Sequence, residues 1–146
     1  MDVFNEEKRH EVMRLIGSKN SKAELIVFRW LRKERIYFQK HYKKALGTPD
    51  IASPRKKIAI FIDGDFWHGK RLEETIERRG LEDYWTKKVL NNIERDIRQR
   101  NELRQAGWKV LAVWESDINR KRTRQFYLEE IANFILEKDI YPKKSE

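Results

Sequence analysis

The chain has 146 residues, the size of one ordinary domain, and carries 33 lysines and arginines against 24 acidic residues. The net charge of +9 favours binding to phosphate backbones, with a highly charged but merely solvated surface as the alternative. Because cysteine is absent, disulfides, thiolate metal sites and cysteine nucleophiles are excluded. No stretch has the length and apolarity of a signal peptide or a membrane span, so we expect a cytoplasmic protein.

The first half of the chain predicts two helices and two strands. Residues 6–16 form a short helix in this prediction, and a second helix follows in SKNSKAELIVFRWLRKERI. Ser21 and Glu24 have the spacing of a capping box at the start of the second helix, which gives Glu24 a structural reading. The segments TPDIAS and KIAIFI predict short strands joined by a turn at residues 53–56. We expect these strands to pair as an antiparallel hairpin.

The second half predicts one long helix, one strand and a final helix. Residues 82–105 form the long helix, WKVLAVW predicts a third buried strand, and residues 122–137 form an amphipathic helix. Residues 36–42 are the best candidate for a further strand. Together these elements predict one α/β domain with a small mixed sheet flanked by helices. Apolar residues recur every four positions in the long helix, at Trp85, Val89, Ile93 and Ile97.

Acidic residues are expected to meet beside the predicted hairpin. With the turn at residues 53–56, Asp50 lies opposite residues 59–61, close to the point where Asp63 ends the next strand. Each aspartate alone has an ordinary reading as turn chemistry, but neighbouring carboxylates repel one another unless they share a cation. Oxygen ligands without thiols favour magnesium or manganese over zinc.

His68 is the histidine with a chemical rationale, because it follows the acidic strand end. An imidazole near a metal-bound carboxylate can take a proton from water near neutral pH, as phosphodiester hydrolysis requires. Asp96 lies at the edge of the inward face of the long helix, where either a histidine N–H or an ion pair with Arg100 would accompany it. The other two histidines, His10 and His41, have an ordinary structural or exposed reading.

Two large aromatic residues stand directly before His68. Phe66 and Trp67 are adjacent in the chain, so they do not both point easily into one core, and Trp85 is a third candidate for the same group. Aromatic rings beside a phosphate-cleaving site suit stacking on bases or wedging between base pairs. Packing in the core is the alternative for all three.

Two strings of this sequence, GTPDIASPRKKIAIFIDGDFWHGK and YWTKKVLNNIERDIRQRNELRQAGWKVLAVWES, resemble the very short patch repair (Vsr) endonucleases. The resemblance covers about residues 9–119 as the catalytic core and is tighter than that to the PD-(D/E)XK nucleases, whose lysine is missing. It implies a restriction-endonuclease-like fold and a magnesium-dependent enzyme that nicks one strand of double-stranded DNA at a T:G mismatch. We expect a monomer, with a repair or methyltransferase partner left open.

The resemblance also implies roles for individual residues. Metal binding falls on Asp50 and the backbone carbonyl of Ile62, water activation on His68, and support of that histidine on Asp96. Glu24 moves from the capping reading towards a catalytic one. The remaining implied residues contact DNA, and they are Met13, Phe66, Trp67 and Trp85.

This sequence departs from the family in two places. Asp63 stands where the family often has a histidine, and its role as an additional metal ligand or a modifier of the pH profile is left open. The family's structural zinc ligands fall on Asp65, Lys70, Leu72 and Ser116, none of which keeps its identity, so we expect ordinary packing and no structural zinc. Two alternatives follow: the same nuclease core with a homing or restriction-associated target, and a non-catalytic DNA-binding module.

Overall fold

A computed structural model describes residues 20–137, and within this range four strands form one sheet covered by five α-helices. The predicted α/β class is confirmed, while the helix at 6–16, His10 and Met13 lie outside the described residues. The elements in chain order are α1 (Lys22–Lys33), β1 (Gln39–Lys40), β2 (Ile51–Ser53), β3 (Ile58–Asp63), α2 (Leu72–Arg79), α3 (Tyr84–Gln105), β4 (Lys109–Trp114), α4 (Glu115–Asn119) and α5 (Lys121–Ile135).

The sheet is mixed and has the order β1-β2-β3-β4. Strands β1, β2 and β3 pair antiparallel, and β3 pairs parallel with β4. A single 3-10 turn at Pro54–Lys56 joins β2 to β3, which confirms the predicted hairpin. Ile51 pairs with Ile60, so the preceding Asp50 falls beside Phe61, within the predicted range. The further strand expected in residues 36–42 is present as the short β1.

Strand β3 is buried along its whole length and separates two apolar cores. Ile58, Ile60 and Ile62 join the larger core, which includes apolar residues of α1 and α5. Ala59 and Phe61 join a smaller core on the opposite face, together with residues of α3 and β4. Because successive side chains of a strand point to opposite faces, Asp63 continues the row of the smaller core. This alternation directs its carboxylate towards α3.

Helix α3 begins at an N-cap formed by Asp83, whose carboxylate accepts hydrogen bonds from the Trp85 and Thr86 N–H groups. Trp85 and Val89 are buried as the apolar spacing predicts, but Ile97 is 58% exposed, so the prediction of an inward face through residue 97 is wrong. A four-residue step overshoots one helical turn by about 40°, and three such steps rotate the side chain by about 120°.

Two helices have no counterpart among the predicted elements. Helix α2 has the sequence LEETIERR, in which charged residues outnumber apolar ones, and α4 has only five residues. Neither carries enough apolar residues for a period to emerge. No helix within residues 20–137 is both long enough and apolar enough to span a membrane.

Candidate active site

Three side chains from separate elements meet at one edge of the sheet, and we call them the acid cluster. Glu24 comes from α1, His41 follows β1 and Asp50 precedes β2, and their ligand atoms all lie within 4.8 Å of one another. Glu24 Oε1 is 3.4 Å from His41 Nε2. Asp50 Oδ2 accepts a 2.7 Å hydrogen bond from the N–H of Ile62, which fixes the carboxylate beside that peptide. The cluster therefore contains a histidine to which the sequence assigned no chemistry.

Glu24 belongs both to the acid cluster and to the start of α1. Its N–H donates to Ser21 Oγ at 3.2 Å, and its Oε2 accepts from the Ser21 N–H at 3.0 Å, so the predicted capping box is confirmed. The second carboxylate oxygen remains directed at His41, and only 3% of the residue is exposed. The capping role and a role in the site are thus compatible in one side chain.

The pKa of Asp50 is strongly raised in the acid cluster. Burial raises the pKa of this carboxyl to about 9, and the hydrogen bond and negative charge of Glu24 act in the same direction, against the opposing hydrogen bond from Ile62. The Asp50 carboxyl therefore holds its proton more tightly than an exposed carboxyl does. Two carboxylates and an imidazole that are close together and short of positive charge form a donor set that fits a divalent cation.

A second group, the histidine cluster, lies at the end of β3 and consists of Asp63, His68, Asp96 and Arg100. His68 Nδ1 is 2.5 Å from Asp96 Oδ2 and 3.7 Å from Asp63 Oδ1. Arg100 donates two hydrogen bonds of 2.7 and 2.8 Å to the oxygens of Asp63 and lies over the Phe61 ring at 4.3 Å. The sequence left open an ion pair between Arg100 and Asp96. In the structure, Arg100 pairs with Asp63 instead.

Asp96 is held ionised by its surroundings. Burial acts to raise its pKa, but the hydrogen bond and charge of His68 and the charges of Arg100 and Arg95 outweigh burial and leave the pKa below its usual value. An ionised carboxylate accepts the N–H of the His68 ring at Nδ1 and leaves the other ring nitrogen, Nε2, to act as a base. The histidine partner that the sequence considered for Asp96 is therefore in contact with it.

The segment after β3 is fastened to α3 by polar side chains spaced four residues apart. Asn92, Asp96 and Arg100 share one face of the helix because their spacing is close to one turn. Neither Asn92 nor this use of Arg100 was expected, although their spacing around Asp96 is a signal that the sequence contains. Their partners are, in order, the Trp67 carbonyl at 3.0 Å, His68 and Asp63.

The aromatic residues of this segment form a continuous row beside the histidine cluster. Ring centroids are separated by 4.9 Å between Phe66 and Trp67, 5.6 Å between Trp67 and Trp85, and 4.8 Å between Trp85 and Tyr84. Phe66 is 36% exposed and Tyr84 is 41% exposed, whereas Trp85 is only 4% exposed. The row therefore offers Phe66 and Tyr84 to solvent, while Trp85 takes the packing alternative.

Comparisons with known proteins show which family this chain is similar to. A family model described as DNA mismatch endonuclease Vsr matches residues 1–74. The Type II nicking enzyme V.NmeAIP of Neisseria meningitidis serogroup A is 36% identical over 120 residues, which cover 82% of this chain and 86% of that protein. The chain belongs to the Vsr family. It is accordingly a DNA endonuclease with a restriction-endonuclease-like α/β domain.

Further relatives in the Vsr family carry two kinds of name. The Type II nicking enzyme V.HpaIIP of Haemophilus parainfluenzae is 34% identical over 131 residues, covering 88% of this chain and 92% of that protein. The DNA mismatch endonuclease Vsr of Escherichia coli K12 is 29% identical over 114 residues, covering 78% of this chain and 73% of that protein. Membership of the family therefore fixes the reaction class more firmly than the target.

Three of the four positions to which the resemblance assigns zinc ligands hold a polar cluster here. Lys70 Nζ donates to Ser116 Oγ at 2.7 Å and lies 3.8 and 3.7 Å from carboxylate oxygens of Asp65 and Asp117. Asp65 also accepts a 3.2 Å hydrogen bond from the Ser116 N–H. The fourth position, Leu72, begins α2. Ion pairs and hydrogen bonds therefore occupy the place for which the sequence left the replacement open.

Glu115 is an acidic residue near this Vsr-type site that the sequence did not single out. It follows β4, and an added Cβ on Gly64 would lie 3.5 Å from its Oε1. Burial raises the pKa of Glu115, and the negative charges of Glu24 and Asp65 raise it further. The available signal is its position directly after a strand that pairs parallel with β3, which brings both strand ends to one edge.

Proposed function

We propose that this protein is a magnesium-dependent endonuclease that nicks one strand of duplex DNA at a T:G mismatch. The observation that carries the proposal is the proximity of the two clusters, since Asp50 bonds to Ile62 and the next residue, Asp63, already contacts His68 and Arg100. A site with a cation-binding half and a proton-binding half within one strand end suits hydrolysis of a phosphodiester.

The acid cluster would hold the cation, with manganese as a substitute for magnesium. Asp50 and the backbone carbonyl of Ile62 are the proposed ligands, and the buried Glu24 adds a second carboxylate to the same cluster. A bound divalent cation supplies positive charge to the phosphate oxygens and to the departing alkoxide. Without it, ionisation of Asp50 is disfavoured first by burial and then by the neighbouring acidic groups, which is why its pKa is raised.

His68 would act as the general base for the attacking water. Asp96 accepts a hydrogen bond at Nδ1, which orients the ring and leaves Nε2 to receive the proton from water. The His68 side chain is 24% exposed, so solvent reaches it. Asp63 would contact His68, and Arg100 would neutralise the charge of Asp63. Because both Asp63 oxygens already accept hydrogen bonds from Arg100, we do not propose Asp63 as a metal ligand.

The aromatic row would open the duplex beside the cleaved bond. Phe66 stands exposed at one end of the row, and Trp67 packs edge-on between it and the buried Trp85. An apolar ring that enters a base step unstacks it, and unstacking costs least at a mismatched pair. Phe66 and Trp67 are therefore the proposed wedge and Trp85 its support, while Met13 is retained as a proposed DNA contact from the sequence.

A groove beside Phe66, lined by three arginines and three acidic residues, would receive the DNA backbone through its exposed arginines. The groove has a volume of about 790 Å³, and Phe66 and Arg71 line it together with residues from both ends of α2. Arg71 and Arg78 are exposed there, so they can reach phosphate groups without losing a buried partner. Cations on such a surface hold the duplex in position while carrying no sequence information.

A second candidate function is nicking of a fully paired, specific sequence. It is favoured by the names of relatives such as V.NmeAIP and V.HpaIIP, which describe Type II nicking enzymes. The clusters would perform the same hydrolysis in both cases, so only the manner of recognition differs. Recognition of paired DNA would require contacts to base edges in place of an unstacked mismatch.

A nicking assay separates the two functions. End-labelled duplexes with one T:G mismatch, and otherwise identical paired duplexes, are incubated with the enzyme in magnesium or in EDTA. The proposal predicts a magnesium-dependent nick confined to the strand that carries the mismatched thymine. Equal cutting of the paired duplex would favour the sequence-specific alternative, and cutting in EDTA would contradict the metal requirement.

A further inference from the structure

We propose that His41 is a ligand of the divalent cation at the acid cluster and gives this site a preference for manganese over magnesium. The inference rests on the proposed metal-dependent function and adds the residue that selects the cation. No role for His41 follows from the sequence, where a lysine precedes it and a tyrosine and a second lysine follow it in KHYK. Its contacts in the fold carry the argument.

The first step is the spacing of the donor atoms. In an octahedral site with bond lengths near 2.1 Å, neighbouring ligand atoms are about 3.0 Å apart and opposite ones about 4.2 Å apart. His41 Nε2 and Glu24 Oε1 are separated by 3.4 Å, and the ligand atoms of these residues and Asp50 all lie within 4.8 Å. The 3.4 Å separation lies between these two values, and all three donor atoms, which come from three elements, lie near enough to one another for one cation to reach.

The second step is the way the imidazole is held. The N–H of His41 donates to the Asp50 carbonyl at 2.9 Å, which ties the two residues together through the backbone. The ring packs edge-on against Phe28 at 5.8 Å, and 15% of the side chain is exposed. His41 has a φ of 49°, in the left-handed region that few residues other than glycine adopt. The ring is therefore fixed before any cation arrives.

The separation of His41 and Glu24 is longer than that of an ordinary hydrogen bond. An N–H···O bond normally measures 2.7–3.2 Å, and the 3.4 Å between His41 and Glu24 exceeds this range. His68, by comparison, is 2.5 Å from Asp96, so its Nδ1 is already committed to a carboxylate. His41 is the histidine of the two whose ring nitrogen lies among carboxylates without a short hydrogen bond.

The consequence concerns which cation is preferred. Magnesium binds oxygen donors almost exclusively and keeps much of its water, whereas manganese and later first-row metals accept imidazole nitrogen as well as carboxylate oxygen. Adding one nitrogen to two carboxylates should therefore strengthen manganese binding more than magnesium binding. The preference should disappear when the nitrogen is removed.

The test is pulsed EPR of manganese bound to the full-length protein, which detects nitrogen bonded directly to the ion. Wild type is compared with His41→Asn and with the matched control His68→Asn. Asparagine tolerates a positive φ, so His41→Asn should fold, and a thermal melt checks this. Nitrogen coupling is expected in wild type and in His68→Asn and should be lost in His41→Asn. Calorimetry should show manganese affinity falling about tenfold in His41→Asn, with magnesium affinity nearly unchanged.

Three results would overturn the inference. Nitrogen coupling that persists in His41→Asn, or that disappears in His68→Asn, would assign the nitrogen elsewhere. Manganese that binds wild type without nitrogen coupling would leave the metal site standing without His41. If wild type binds manganese no better than Asp50→Asn does, the metal requirement of the proposed function fails as well, which separates the two failures.

Discussion

The acid cluster and the histidine cluster contain similar residues but differ in how their charges are balanced. Each brings carboxylates and one histidine within 4.8 Å. In the histidine cluster, Arg100 binds both oxygens of Asp63 and Asp96 is paired with His68. In the acid cluster, no arginine or lysine among the described residues contacts Asp50. Burial raises the pKa of this carboxyl to about 9.

This difference suits the two tasks that we propose for this edge of the sheet. Carboxylates that repel one another bind a cation strongly because the cation relieves the repulsion. Carboxylates that are already neutralised instead hold an imidazole in a fixed orientation, as proton transfer requires. The comparison supports the proposed roles, which are cation binding by Asp50 and its neighbours and proton transfer by His68.

The largest expected effect is the loss of activity in either cluster. Asp50→Asn and His68→Ala should each lower the nicking rate about 10³-fold or more, because one loses cation binding and the other its base. DNA affinity measured in EDTA should change little, since phosphate contacts are retained. Rates come from single-turnover nicking, and near-normal activity in either variant would contradict the division of tasks.

Breaking the charge balance of the histidine cluster should have the next largest effect. Arg100→Gln removes the bidentate partner of the buried Asp63 and leaves only the 3.7 Å contact with His68, so the free energy of unfolding should fall by about 3–5 kcal/mol. The double variant Asp63→Asn/Arg100→Gln removes the stranded charge and should recover most of this loss. Urea denaturation of the three proteins measures both changes, and no recovery in the double variant would refute this account of the pair.

The two aspartates should affect stability in opposite directions. Folded Asp50 keeps its proton up to about pH 9 while the unfolded chain releases it near 3.8, so its contribution is lost as pH rises towards 9. Asp96 has a lowered pKa, so its contribution is present above pH 4 and is lost as pH falls.

Thermal melts in EDTA at pH 8 test this opposition. Asp50→Asn should raise Tm by about 3 °C and Asp96→Asn should lower it by about the same amount, which corresponds to roughly 1 kcal/mol in a chain of this size. At pH 4 the gain from Asp50→Asn should vanish. A fall in Tm for Asp50→Asn at pH 8 would show that the buried Asp50 carboxyl does not lower stability at this pH.

A smaller effect is expected from Lys70, which links the segment after β3 to α4. Lys70→Met removes the ammonium that bonds to Ser116 and lies beside Asp65 and Asp117, and nicking should fall about tenfold as the segment carrying His68 loosens. Lys56→Met is the matched control, since Lys56 bonds to the Ile135 carbonyl away from the site. Equal loss in both variants would point to general destabilisation instead.

Local signals were sufficient for the scaffold of the site. A proline turn between two apolar segments predicts the β2–β3 hairpin, and its register places Asp50 beside Phe61 as observed. Ser21 and Glu24 predict the cap of α1 because a capping box lies within four residues. Features of this kind depend on neighbours in the chain and can be predicted without the fold.

Features that depend on distant partners could not be predicted in the same way. Arg100 has a nearby acid at Asp96, but its bidentate partner Asp63 is 37 residues away. His41 enters the acid cluster only because β1, a strand of two residues, pairs with β2. The helical spacing predicts that Trp85 is buried, but it does not predict that the ring packs against Trp67 of the segment after β3.

The measurement that tests the division of tasks most directly is calorimetric titration of manganese into wild type, Asp50→Asn and His68→Ala, followed by nicking assays on the same samples. We predict that Asp50→Asn loses both cation binding and nicking, whereas His68→Ala binds the cation with wild-type affinity and does not nick. Loss of cation binding in His68→Ala, or its retention in Asp50→Asn, would contradict the assignment of the two clusters.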